Sequence, residues 1–167
     1  MSANYTMKKI LVTGSSGFVG KALIKRMSDR KLDVMVADIE NGVDLSDKNA
    51  LDNYDMSDVV VHLAARVFVQ DAFNNPALFY IDNICSTINV LEYCRRVGVK
   101  KIIFASSYIY GNPEYLPINE THPANIKNPY GRSKLIGEAL CLAYYEDYGI
   151  IPIILRPFNI YGIGQNE

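Results

Sequence analysis

Short apolar runs alternate with amphipathic stretches along the chain. Lys9–Thr13, Asp33–Ala37, Asp58–Ala64, Lys101–Ser106 and Pro152–Arg156 are rich in β-branched and aliphatic residues. From Ile10, Val59 and Ile102 onward the runs are nearly continuous, the pattern of strands buried on both faces. Between them, Phe18–Arg30 sets Val19, Leu23 and Met27 on one helical stripe. Pro76–Val97 and Pro129–Tyr148 each begin with Pro and are followed by Gly98 and Gly149, the punctuation of a helix start and stop. Strand–helix–strand alternation predicts βαβ units. Right-handed crossovers then favour an α/β fold: a doubly wound, Rossmann-like parallel sheet with helices on both faces. Between Asp38 and Asp58 the pattern thins, and Val43 and Leu45 are expected to form one short strand.

Composition narrows the class. The 167 residues suit one domain, and 49% hydrophobic with 21% charged residues excludes a disordered chain. A net charge of −1 gives no basic field for a phosphate backbone, so no nucleic-acid partner is expected. Cys85, Cys94 and Cys141 form no CxxC pair, which predicts a reduced chain with neither disulfide framework nor metal site. Met1–Thr6 is too short and polar for a leader, and no apolar stretch is long enough to cross a bilayer. A soluble cytoplasmic protein without a membrane partner is the expectation.

The first run leads directly into Gly14-Ser15-Ser16-Gly17-Phe18-Val19-Gly20 and then a helix. Gly14 permits a tight turn, Gly17 lets the backbone approach a pyrophosphate, and Gly20 lets helix and strand pack closely. The free N–H groups and positive dipole end of the helix suit the phosphates. Asp38 ends the next strand near the offset at which a carboxylate takes the adenosine ribose hydroxyls. It would repel a 2′-phosphate, so NAD is expected over NADP.

Tyr130 and Lys134 stand one helical turn apart on one face. A free phenol is a poor base at neutral pH, and a nearby ammonium is expected to lower its pKa toward the working range. The string gains weight from its place after the glycine turn and after a strand ending in Ser106-Ser107. A serine there can donate to a sugar hydroxyl or share a proton with Tyr130.

These segments resemble the extended short-chain dehydrogenase/reductase family in its NAD-dependent nucleotide-sugar epimerase/dehydratase branch. They are Thr13-Gly14-xx-Gly17-xx-Gly20, Asp38, Val43-Asp44-Leu45, His62-Leu63-Ala64-Ala65, Asp82-Asn83-xxx-Thr87, Ser106-xxx-Tyr110-Gly111, Tyr130-xxx-Lys134 and Arg156-Pro157-Phe158-Asn159-xx-Gly162. Gly111–Pro117 is most similar to UDP-galactose 4-epimerases. The resemblance implies that Gly14, Ser16, Gly17, Phe18 and Val19 line the pyrophosphate, Asp38 the ribose, and Asp44 and Leu45 the adenine. It implies a wall of Leu63, Ala64 and Ala65 with Asn83 nearby, and Pro157 and Phe158 flanking the nicotinamide. Tyr130 would be the base, Lys134 its electrostatic partner and ribose donor, and Ser106 the helper hydroxyl. Ser107 and Asn159 would touch the substrate, and His62 would be structural. The spacing from Phe104 is one residue shorter than in typical epimerases, so Ser107 is an alternative helper. Dehydratases of this branch place an Asp–Glu pair where Ser107 and Tyr108 stand, which disfavours dehydration here.

The implied activity is epimerisation of a nucleotide sugar, a UDP-sugar by resemblance, through a transient 4-keto intermediate, with NAD retained. Net oxidoreduction of a small alcohol and a non-catalytic NAD-binding module are the alternatives. The resemblance also implies a homodimer through Pro76–Val97 and Pro129–Tyr148, with Tyr144, Tyr145 and Tyr148 as candidate contacts. It implies that residues 1–167 are the NAD-binding part, without the family's C-terminal substrate-binding domain.

Overall fold

The structure, a computed structural model, describes residues 8–165. Five strands form one parallel sheet: β1 (Lys9–Thr13), β2 (Asp33–Ala37), β3 (Val59–His62), β4 (Lys101–Ala105) and β5 (Ile151–Leu155). Their spatial order is β2-β1-β3-β4-β5. The helices are α1 (Phe18–Asp29), α2 (Val69–Asn74), α3 (Pro76–Val97) and α4 (Pro129–Tyr148). The chain steps from β1 outward to β2, then returns past β1 to build β3, β4 and β5 on the other side. With right-handed crossovers, that reversal puts α1 on one face and α3 and α4 on the other. It also opens a crevice at the C-terminal ends of β1 and β3.

The α3–α4 face carries the main core. Leu11, Val60, Ile102 and Phe104 from the sheet pack with Val90, Leu91 and Cys94 of α3 and Cys141 of α4. The opposite face is covered over β1 and β2, but Ile151, Ile153 and Leu155 of β5 remain about half exposed. No helix among the described residues is long and apolar enough to cross a membrane.

Two expectations need correction. Val43 and Leu45 form no strand. Asp38 accepts from Glu40 N–H and starts a 3₁₀ turn over Ile39–Asn41, and Gly42 closes it at φ +79°. Asp44 then bends the chain again by accepting from Ser46 N–H and Oγ, which leaves Leu45 as a core side chain rather than a ladder member. Val43 N–H is taken by Asp38 O within the turn, and the two carboxylates bend the chain on either side of it. Second, α2 is a helix that the apolar pattern of the sequence does not mark. Its Phe73 and the preceding Val67 and Phe68 are exposed, while Ala72 is fully buried, so no helical stripe marks it.

Candidate active site

The turn after β1 is shaped by close contact. Gly14 has φ +70°, and a Cβ there would stand 2.5 Å from Ala64 N; one at Gly20 would stand 2.1 Å from Gly14 O. Only glycine lets the turn seat against the segment after β3 and lets α1 start directly behind it. At Gly17 the protein leaves room, with Gly14 O at 3.4 Å. Gly17 caps α1 without a side-chain bond, and no acidic residue lies in the first turn. The N–H groups of that first turn meet no side-chain cap and no acidic residue of the helix itself, which fits a dinucleotide's phosphates. Asp38 reaches the same turn: its Oδ2 accepts from Ser16 N–H at 2.8 Å and its Oδ1 from Glu40 N–H at 3.0 Å. It is thus first an organiser of the turn, at the end of β2 where a ribose would arrive.

The other cofactor candidates fall into two groups. Phe18 lies against Gly162, and Val19 is partly exposed. Leu63 donates its N–H to Thr13 O, Ala64 packs behind Gly14, and Ala65 contributes to a small cluster around Tyr130. Phe158 is mostly exposed and stacks on Tyr110, with Pro157 before it. Asp44 is exposed, its carboxyl held below the usual range by the two Ser46 bonds, and Leu45 turns into the core. Asn83 is buried and fully engaged. Its Oδ1 accepts from Arg66 N–H at 2.7 Å, and its Nδ2 donates to Arg66 O and to Ser133 Oγ. It ties the wall of the crevice to α4.

On α4, Asn128 accepts from Gly131 N–H and Pro129 follows, fixing the helix start one residue before Tyr130. Tyr130 is 6% exposed and packs with Ala72 of α2 and Phe79 of α3. Burial, with the neighbouring Tyr108 phenol adding to it, pushes Tyr130 up to about 12. This direction is opposite to the sequence expectation. In this pocket desolvation governs the phenol, and Lys134 is not among the charges acting on it. Lys134 is 3% exposed, and its Nζ lies 4.2 Å from the centroid of Phe104. It makes no hydrogen bond or ion pair among the described residues. Burial takes it down to about 8, against the upward pull of Cys141 and Glu138. One turn further, buried Glu138 accepts from Arg156 Nε and Nη2 at 2.9 and 2.6 Å, pinning the end of β5 to α4.

The two serines differ. Ser106 is 1% exposed, and its Oγ is the one buried side-chain polar atom without a partner among the described residues. Its N–H still pairs with Leu155 O, so strand alternation puts it on the sheet face of Phe104, whose ring meets Lys134. Ser107 Oγ instead donates to Pro157 O at 3.1 Å. Asn159 is exposed beside Tyr108, 3.4 Å from its hydroxyl.

His62 has no free nitrogen. Thr13 Oγ1 lies 2.7 Å from Nδ1 and Thr87 Oγ1 3.3 Å from Nε2, and burial takes the ring down to about 3. The sequence pattern assigns no site role to Phe104, Ala72, Phe79 and Glu138, and of these only Glu138 carries a signal, its one-turn spacing from Lys134.

The NAD dependent epimerase/dehydratase family matches residues 10–167. A putative UDP-glucose 4-epimerase of Methanocaldococcus jannaschii is 37% identical, over 94% of this chain and 57% of its own. A GDP-6-deoxy-D-mannose reductase of Pseudomonas aeruginosa is 32% identical, over 96% and 55%. The crystal structure of Thermus thermophilus UDP-glucose 4-epimerase with NAD superposes with a TM-score of 0.86 at 34% identity, over 95% and 57%. The chain spans about half the length of the curated relatives it matches. With the family matched across nearly the whole sequence and the same doubly wound sheet beneath it, the chain belongs to the NAD-dependent epimerase/dehydratase family.

Proposed function

We propose that this chain is the cofactor-binding part of an NAD-dependent nucleotide-sugar 4-epimerase acting on a UDP-sugar through a transient 4-keto intermediate. The observation that carries the reading is Ser106 Oγ, buried and unpartnered, on the sheet face that also meets Lys134, one turn from Tyr130. A buried hydroxyl without a partner is costly unless a ligand satisfies it. NAD would be held by the N–H groups at the start of α1, by Asp38 and by the Leu63–Ala65 wall, with Asn83 positioning that wall. It would supply the acceptor, and then the donor, of the sugar's C4 hydride. Tyr130 Oη takes the proton of the 4-hydroxyl and later returns it. Ser106 Oγ donates to the same oxygen, and Ser107 and Asn159 line the sugar side. Lys134, buried one turn from Tyr130 on α4, would donate to the nicotinamide ribose, and the Tyr130 phenol, raised by burial, would need the positive charge of bound NAD to release its proton.

Relatives named for UDP-glucose support the substrate class. A homodimer through α3 and α4 is supported by exposed Leu78, Ile81, Ile136, Leu142, Tyr145 and Tyr148 on those helices. We place the protein in the cytoplasm because its three cysteines are free.

Tyr130→Phe in the complete gene product tests the assignment. It is expected to lower kcat for UDP-glucose/UDP-galactose interconversion by roughly 10²–10⁴-fold while NAD stays bound. Retained turnover would remove Tyr130 from the chemistry. A second reading, net reduction or oxidation of a nucleotide sugar, is favoured by the similarity to the Pseudomonas reductase. Under it NADH absorbance changes in proportion to product, whereas epimerisation leaves it constant.

A further inference from the structure

We propose that the buried Glu138–Arg156 ion pair is a positioning device: it aims Pro157 and Phe158 at the nicotinamide end of the crevice by locking them to the helix that carries Tyr130 and Lys134. The role rests on the NAD-binding reading above. A charge pair taken out of water does little for a fold, because lost hydration offsets most of the attraction, but it fixes one arrangement. Glu138 is buried on α4, one turn beyond Lys134, and its two oxygens accept from Arg156 Nε at 2.9 Å and Nη2 at 2.6 Å. Such a fork-to-fork contact sets orientation as well as distance. What it orients is the chain leaving β5. The ladder with β4 ends where Ser106 N–H donates to Leu155 O, and from Arg156 onward side chains hold the backbone.

Arg156 acts forward through Tyr110. Its Nη1 donates to the Tyr110 hydroxyl at 3.0 Å, and its guanidinium carbon lies 5.3 Å from the ring centroid. Tyr110 is buried, and Phe158, which is mostly exposed, stacks on it with planes 22° apart. Ser107 Oγ meanwhile holds Pro157 O. Beyond Phe158 the chain runs back to the glycine turn, where Gly162 lies against Phe18 at the start of α1. A dinucleotide with its phosphates at that turn and its reacting ring near Tyr130 lies along this segment. Glu138 touches neither cofactor nor substrate in this arrangement; it works through Arg156, Tyr110 and Phe158.

The test uses the complete gene product freed of cofactor and titrated by calorimetry with NAD and with ADP-ribose, which lacks the nicotinamide. Glu138→Gln keeps the volume and removes the charge. It is expected to weaken NAD about tenfold, roughly the worth of one good contact, and to leave ADP-ribose within about twofold. The emission of bound NADH should move toward that of free NADH as the ring loses its cover. Because Glu138→Gln leaves the guanidinium without its counter-charge and lowers stability, Glu138→Leu combined with Arg156→Met supplies a folded control without either charge. It should show the same selective loss. A pair that only supports the fold would weaken both ligands alike in the single variant, or neither in the double, and either result overturns the proposal. Wild-type protein that binds ADP-ribose but gains nothing from the nicotinamide also overturns it, whereas protein that binds neither ligand overturns the NAD reading on which it rests.

Discussion

Lys134 is held against its own solvation. Its ammonium is nearly inaccessible, rests on an aromatic face and has no carboxylate bonded to it among the described residues. With its pKa taken from 10.5 to about 8, keeping it charged at neutral pH costs the fold on the order of 3 kcal/mol. That is a large share of the roughly 5–15 kcal/mol by which a domain is stable. The folded form binds fewer protons than the unfolded one between pH 8 and 10.5, so this residue makes stability rise with pH across that window. Lys134→Met removes the charge and keeps the stem. It should raise the thermal midpoint at pH 7 while abolishing turnover. A lower midpoint would mean that the ammonium supports the fold rather than burdening it.

At the scale of elements, His62 joins four of them. It ends β3, meets Thr13 of β1 and Thr87 of α3, and lies against Phe104 of β4. Thr87 Oγ1 donates to Asn83 O, so it must accept from His62 Nε2–H, which leaves Nδ1 to accept from Thr13. Only the neutral ring fits that pattern. Its folded pKa of about 3 lies below the unfolded 6.5, so acidification through that window favours the unfolded chain, which binds the proton. His62→Gln should flatten the fall of thermal midpoint between about pH 6.5 and 4; an unchanged slope would place the acid sensitivity elsewhere. The strands were readable from sequence because burial on both faces leaves continuous apolar runs, and α3 and α4 because Pro and Gly bracket them. The segment after Asp38 and α2 were not readable. The first is governed by the short-range reach of the Asp38 and Asp44 carboxylates, and the second presents one buried alanine among exposed aromatics. The site divides likewise. Gly14, Tyr130 and Lys134 are marked by spacing, whereas Phe104 and Tyr108 matter through contacts that only the folded sheet creates.

Across the whole molecule, one line of hydrogen bonds runs from the glycine turn to the candidate base. Ala64 N–H donates to Thr13 Oγ1, which bonds His62; His62 bonds Thr87, and Thr87 bonds Asn83 O. From the Asn83 amide the line continues to Ser133 Oγ, which donates to the carbonyl of Tyr130 at 2.7 Å. The crevice wall and the start of α4 are thereby held in one frame, although β1 and α4 are far apart in the sequence. Asn83 is the junction, because its side chain alone reaches both Arg66 and Ser133. Asn83→Ala leaves the Arg66 N–H and C=O without their partner and cuts the link to α4. A loss on the order of 2–3 kcal/mol in denaturant unfolding is expected, with weaker NAD binding as the wall loosens. Thr87→Val removes both bonds of that hydroxyl, from His62 Nε2–H and to Asn83 O, while the Asn83 amide keeps its links to Arg66 and Ser133. Because both act on one network, the double variant should depart from the sum of the single losses by more than about 0.5 kcal/mol. Simple additivity would mean that the wall and the helix are positioned independently, each by its own apolar packing.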